Sequence, residues 1–175
     1  IDIIGEKVQH LDHFIGDVLS HSKNLKMEVT TAKVDFEQII KRTFEDLSYL
    51  EGAREVKHTT KIEGIQFYSD YWRISEILRN LISNAIKYRR LVEEQPEISI
   101  KIFVDHLRAE ISFADNGIGI DEVNLAKVFE MFYRATEQSD GSGIGLYIVK
   151  NAVDKLGGQI SVSSQLGHGT RFNII

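Results

Sequence analysis

The chain has 175 residues, of which 42% are hydrophobic and 27% charged, with a net charge of −5. That is the composition of one globular domain large enough to bury a core, and it argues against a disordered segment or a basic nucleic-acid binder. The absence of cysteine excludes disulfides, thiolate–zinc sites and thiol nucleophiles, and no apolar run approaches the roughly 18 residues of a membrane span.

In chain order, Ile1, Ile4, Val8, Leu11, Ile15 and Val18 step by three and four, which predicts a heptad-like helix over residues 1–22. That helix suits either half of a helical hairpin or an amphipathic helix lying on its own domain. Met27–Val34 is rich in β-branched residues and predicts a short strand. Asp35 can cap a helix running to about Leu50. Val56–Ile62 and Ile65–Tyr68 read as strands joined near Gly64, and Asp70 can cap a helix whose Ile74, Ile77, Leu78, Leu81, Ile82 and Ala85 form one apolar stripe. Ile98–Val104 and Ala109–Ala114 alternate as a hairpin with its tip near His106. A helix from Gly145 to Leu156 stops at Gly157-Gly158, and two strands close the chain around Gly167 and Gly169. These elements do not alternate strictly, which predicts an α+β two-layer sandwich with helices on one face of a mixed sheet.

Four features carry chemistry. Asn80, Asn84 and Lys87 share a helix face away from the apolar stripe, where two amide oxygens and an ammonium suit either a metal–phosphate group or plain solvent. Asp115 falls in register with the inward-facing Ile111 and Phe113, so its carboxylate points to the apolar side. A ligand amine such as that of adenine would satisfy it; a tight turn before Gly117 is the other reading. Gly141-Ser142-Gly143-Ile144-Gly145-Leu146 opens a helix and presents free N–H groups suited to phosphate. It matches neither the dinucleotide fingerprint nor the P-loop. Gly167-His168-Gly169-Thr170 reads most simply as a hairpin turn.

These elements, in this order, resemble the catalytic and ATP-binding domain of sensor histidine kinases in the GHKL superfamily. The N box resembles Arg79–Tyr88, the F box Val128–Arg134, and the three glycine boxes Asp115–Ile120, Gly141–Leu146 and Gly167–Thr170. The resemblance implies ATP and Mg²⁺ as cofactors. It places Asn84 on the metal with Asn80 in support, Lys87 on phosphate and Tyr88 beside the nucleotide. Asp115 would accept from the adenine amine, with Gly117, Gly119 and Ile120 against the base and Thr170 at the adenine end. Gly141, Gly143, Ile144, Gly145 and Leu146 would hold the phosphate side and anchor a lid over about Arg134–Ser142, with Phe129 and Phe132 at its base.

Residues 1–24 would then be the second helix of a dimerisation and phosphoacceptor hairpin, and residues 25–175 the catalytic domain. The implied partners are a phosphoacceptor hairpin, a response-regulator receiver domain and a second subunit; the implied compartment of this domain is the cytoplasm. One departure stands out. None of His10, His13, His21, His58, His106 or His168 is followed by an acidic residue, and the only proline is Pro96. The acceptor histidine and its adjacent base are therefore expected on a helix missing from this chain. Two alternatives share the motifs: a GHKL-type ATPase, which would need a glutamate where Asn80 stands, and a nucleotide-sensing module without turnover.

Overall fold

The computed structural model describes residues 15–16, 18–20, 22–90, 95–134 and 142–175. Ile1, Ile4, Val8 and Leu11 of the heptad pattern lie outside them. Residues 15–16, 18–20 and 22–26 are helical, and Ile15 and Val18 are exposed. The predicted strand at Met27–Val34 shortens to β1, Ala32–Val34; residues 27–31 run as an unpaired linker whose contacts go to side chains instead.

Helix α1 (Phe36–Asp46) begins where the Asp35 carboxylate accepts the Gln38 N–H, as its sequence predicts, and buries Phe36, Ile39 and Ile40. The two strands predicted on either side of Gly64 belong to different sheets. β2 (Lys57–Gly64) pairs in parallel with β4 (Glu97–Val104), while β3 (Phe67–Ser69) pairs antiparallel with β1. Helix α2 (Tyr71–Lys87) follows, capped by Asp70, and turns its predicted apolar stripe inward. β4 and β5 (Ala109–Asp115) form the predicted hairpin, closed because the Asp105 carboxylate accepts the N–H groups of Leu107 and Arg108. A short helix α3 (Glu122–Leu125), helix α4 (Gly145–Lys155) and the hairpin β6 (Ile160–Gln165) and β7 (Gly169–Ile174) complete the chain.

The main sheet has the order β2-β4-β5-β7-β6 and is mixed, since only the β2–β4 pair is parallel. Strict alternation on β4 and β5 sends Ile98, Ile100, Ile102, Ile111 and Phe113 to one face. There they meet Ile77, Leu78, Leu81 and Ile82 of α2 and Val149, Ala152 and Val153 of α4. Each of the Ile, Leu, Val and Phe side chains among them contributes about 1.5–3 kcal/mol by leaving water. This is the expected α+β two-layer sandwich. Its consequence for function is positional: α2 and α4 lie side by side on the sheet, with the open end of β5 beside the end of α2.

Candidate functional site: a cleft between α2 and α4

The apolar stripe of α2 fixes which residues are left to face α4. Asn80 and Asn84 are half-buried, and Lys87 is exposed in the last turn. The Asn80 amide is oriented by its own helix, because Nδ2 donates to Glu76 O at 2.8 Å. Its Oδ1 is therefore the end turned toward α4. A Cβ added at Gly145, the first residue of α4, would lie 2.9 Å from Asn80 Oδ1 and 3.9 Å from Asn84 Oδ1. Glycine at that position leaves room between two hard oxygen donors and a helix N-terminus.

That N-terminus is open. No side chain caps α4, and its N-cap residue, Ile144, is fully buried rather than polar. The positive dipole end of an 11-residue helix thus faces the amides of α2. Gly143 stands in the left-handed region at φ 70° and abuts Phe132, whose N–H donates to Gly143 O at 2.9 Å. Phe132 itself sits at φ 65°, unusual for a residue with a side chain. The end of the F box and the start of α4 are clamped together in this way. Phe129 packs edge-on against Phe172, Leu146 is half-buried, and Arg134 is exposed. Gly141 and the rest of the expected lid, residues 135–141, lie outside the described residues.

The other end of the cleft is built around Asp115. Its carboxylate accepts the Gly117 N–H at 2.9 Å. Burial pushes its pKa above the usual carboxylate value, partly offset by the backbone N–H groups of Gly117 and Thr170. No cation is among the groups that shift it. Gly117 is required there, since a Cβ would come within 2.5 Å of Tyr88 O and 2.8 Å of Asp115 Oδ1. Tyr88 caps the C-terminus of α2, so Asp115 sits near the last turn of the helix that carries Asn80 and Asn84. From Asn80 to Tyr88 the α2 axis runs about 12 Å at 1.5 Å per residue. That span separates the open helix end from the half-buried carboxylate.

A ring of backbone bonds fixes this end. Ile118 N–H donates to Tyr88 O (2.9 Å) and Gly167 N–H donates to Ile118 O (2.7 Å). Arg90 closes the ring, with Nε donating to Asn116 O (3.0 Å) and Nη1 to Gly167 O (2.8 Å). Gly119, at φ 70°, lets the first glycine box touch the β6–β7 turn: a Cβ there would meet Gln165 O at 2.1 Å. Ser164 knits the same region by accepting from Ile120 N–H (2.8 Å) and donating to Gly169 O (2.7 Å). Its Oγ also lies 2.9 Å from Oγ1 of the buried Thr170. Sequence reading missed both Arg90 and Ser164. A basic pair after a helix and a serine in an alternating strand look like solvated positions, and only the crossings of the loops reveal otherwise.

Of the residues expected in the site, Asn80, Asn84 and Gly145 converge at one end, and Tyr88, Asp115, Gly117, Gly119, Ile120 and Thr170 at the other. Residues 69–175 match the family described as histidine kinase-, DNA gyrase B-, and HSP90-like ATPase. The chain belongs to that family. It is a GHKL ATP-binding catalytic domain of the sensor histidine kinase kind.

Among its relatives, the autoinducer 2 sensor kinase/phosphatase LuxQ of Vibrio vulnificus (strain YJ016) is 32% identical over 98% of this chain and 21% of its own length. The methanogenesis regulatory histidine kinase FilI of Methanothrix harundinacea (strain 6Ac) is also 32% identical, over 96% of this chain and 19% of its own length. The chain thus spans about a fifth of these relatives. Among solved structures, full-length ShkA in complex with AMPPNP superposes with a TM-score of 0.77 at 27% identity, over 94% of this chain and 35% of that one. The N-terminal helical residues fall outside the family match, which begins one residue before Asp70. Among the described residues, no helix is long and apolar enough to cross a membrane.

Proposed function

We propose that this domain binds Mg-ATP in the α2–α4 cleft and presents the γ-phosphate to a histidine on a separate helix. The observation that carries the reading is the pairing of a half-buried carboxylate, Asp115, whose pKa burial raises and no cation lowers, with an uncapped helix N-terminus facing two amide oxygens. The first is a receptor for an amine and the second for a metal-bound phosphate chain. Asn84, with Asn80 beside it, would hold Mg²⁺ through Oδ1, and Lys87 would meet phosphate. Held there, the metal would supply charge neutralisation at the phosphate oxygens. The donor set fits, since hard amide oxygens suit Mg²⁺. Among the described residues there is also no cluster of three His, Cys, Asp or Glu that would hold an ion without phosphate.

The chain's own residues then act by positioning. The Asp115 carboxylate accepts the adenine amine, and the close backbone approach at Gly117 admits the flat base. The α4 N–H groups stabilise phosphate charge without moving a proton. Nothing at Asn80 can deprotonate water, which favours transfer over hydrolysis, because losing a general base typically costs about 10²–10⁴-fold. Residues 1–24 are proposed to belong to the dimerisation hairpin, and the intact protein to act as a homodimer toward a receiver domain. Mixing the chain with a histidine-bearing acceptor hairpin and ATP should give acid-labile phosphohistidine on the hairpin, and Asn84→Ala should abolish it. Rapid phosphate release by the isolated chain would overturn the proposal.

A further inference from the structure

The N-terminal end of α2 holds a second built site with no part in the nucleotide cleft. Arg73, in the first turn, is 1% exposed, yet all five of its guanidinium N–H donors have a partner. Nε donates to Asn24 Oδ1 (2.8 Å); Nη1 donates to Asp70 Oδ2 (2.6 Å) and Glu28 O (3.5 Å); Nη2 donates to Asn24 O (3.0 Å) and Met27 O (2.7 Å). Four of these five acceptors belong to the segment 24–28. Asp70 works in both directions: Oδ1 caps α2 through Arg73 N–H (2.9 Å), and Oδ2 accepts from Thr30 N–H (3.0 Å). Lys23 lies over the Trp72 ring at 4.6 Å to its centroid.

Asp70 and Arg73 lie inside the family match and residues 23–30 outside it. A fully buried guanidinium is costly unless every donor is met, and here the carbonyls at the end of the preceding helix meet most of them. The burial of the Asp70–Arg73 pair and the docking of that helix end are therefore one event.

We propose that Arg73 and Asp70 are positioning residues for phosphotransfer, locking residues 24–30 to the N-terminus of α2 so that the preceding helix and the Asn80/Asn84 face keep one relative orientation. This rests on the nucleotide reading above. It differs from a role in ATP binding because the lock lies two turns before Asn80 and touches nothing in the cleft. Lysine at position 73 keeps the charge but cannot reproduce a planar fork of five donors.

The chain has no native cysteine, so spin labels at Leu19→Cys and Glu45→Cys report the helix orientation directly. Pulsed electron resonance should give one narrow distance in the parent chain and a broad distribution in Arg73→Lys and in Asn24→Ala. The second variant keeps the Asp70–Arg73 pair, so it remains informative if the first folds poorly. Calorimetry should find AMPPNP affinity unchanged in both. In the kinase carrying its acceptor histidine, transfer at saturating ATP should fall about ten- to a hundredfold with KM for ATP unchanged, the scale of a misplacement remote from the chemistry. Narrow distances in both variants, or nucleotide affinity falling in step with the transfer rate, would overturn the lock. Parent chain that fails to bind AMPPNP would instead bring down the site assignment beneath it.

Discussion

Asp70 and Asp115 are carboxylates drawn into the apolar side of the same domain, at opposite ends of α2, and they are treated in opposite ways. At Asp70 burial raises the pKa, but the N–H groups of Arg73 and Thr30 and the guanidinium outweigh it and hold the group below its usual value. At Asp115 burial dominates, and two backbone N–H groups only soften it. The first charge is complete without a ligand and acts as a joint. The second has two backbone N–H partners but no cation among the groups that shift it, which is the condition of a site that a ligand amine can complete. A desolvated carboxylate alone therefore does not mark function; the lack of a countercharge is what sets Asp115 apart from Asp70.

The harshest way to break this contrast is to open the joint. Arg73→Ala leaves Asp70 buried and unpaired and should cost about 3–5 kcal/mol in urea denaturation. A loss below 1 kcal/mol would show that the pair is not the structural half of the comparison. Asp115→Ala should do the reverse: little change in the unfolding midpoint, but a drop in ATP affinity of about ten- to a hundredfold by calorimetry, the loss of about 1–3 kcal/mol from one polar partner.

Loosening the ring around the base should come next in size. Arg90→Ala removes two bonds to loop carbonyls and should weaken ATP binding by up to about tenfold, since each neutral-acceptor bond from a charged donor contributes roughly 1.5–3 kcal/mol before the loops relax. Unchanged affinity would place Arg90 outside the site's support.

The smallest effect sharpens the contrast through pH. The lowered Asp70 stabilises the fold above its unfolded value near 3.8 and withdraws that stability as pH falls through its folded value. The raised Asp115 does the opposite: its contribution is fully present below 3.8 and is lost as pH rises through its folded value, so the ionised group is a cost at neutral pH. Asp115→Asn should raise the apo melting temperature at pH 7 by about 2–4 °C, the shift that ~1 kcal/mol produces in a chain this size. The gain should vanish as pH falls toward 4. A thermal scan showing the same difference at both pH values would remove the buried charge as its cause.

The parts legible in the sequence are those whose cause is local. The α2 stripe, the caps at Asp35 and Asp70 and the alternation on β4 and β5 each follow from residues within one element, and the structure repeats them. The inward aim of Asp115 follows from strand parity alone. The pairing of β2 was not legible, because its eight residues are all exposed and its partner β4 lies beyond α2 in the chain. The same applies to the linker 27–31, whose β-branched residues suggested a strand but whose carbonyls and N–H groups go to Arg73 and Asp70, forty or more positions away. Arg73 could not be read from sequence for that reason, and Arg90, whose acceptors lie on two later loops, could not either.

The ring through Tyr88, Ile118, Gly167 and Arg90 closes without any ligand. Its consequence is a division of labour in recognition. The proposed base end is preformed, so little conformational entropy should be lost there on binding, and small planar amines should dock by themselves with high efficiency per atom. Fragments of that kind need no triphosphate to compete with nucleotide. Discrimination between this domain and others of its family would then be sought at the rim, where the guanidinium of Arg90 bridges two loops and offers a contact that a neutral residue would not.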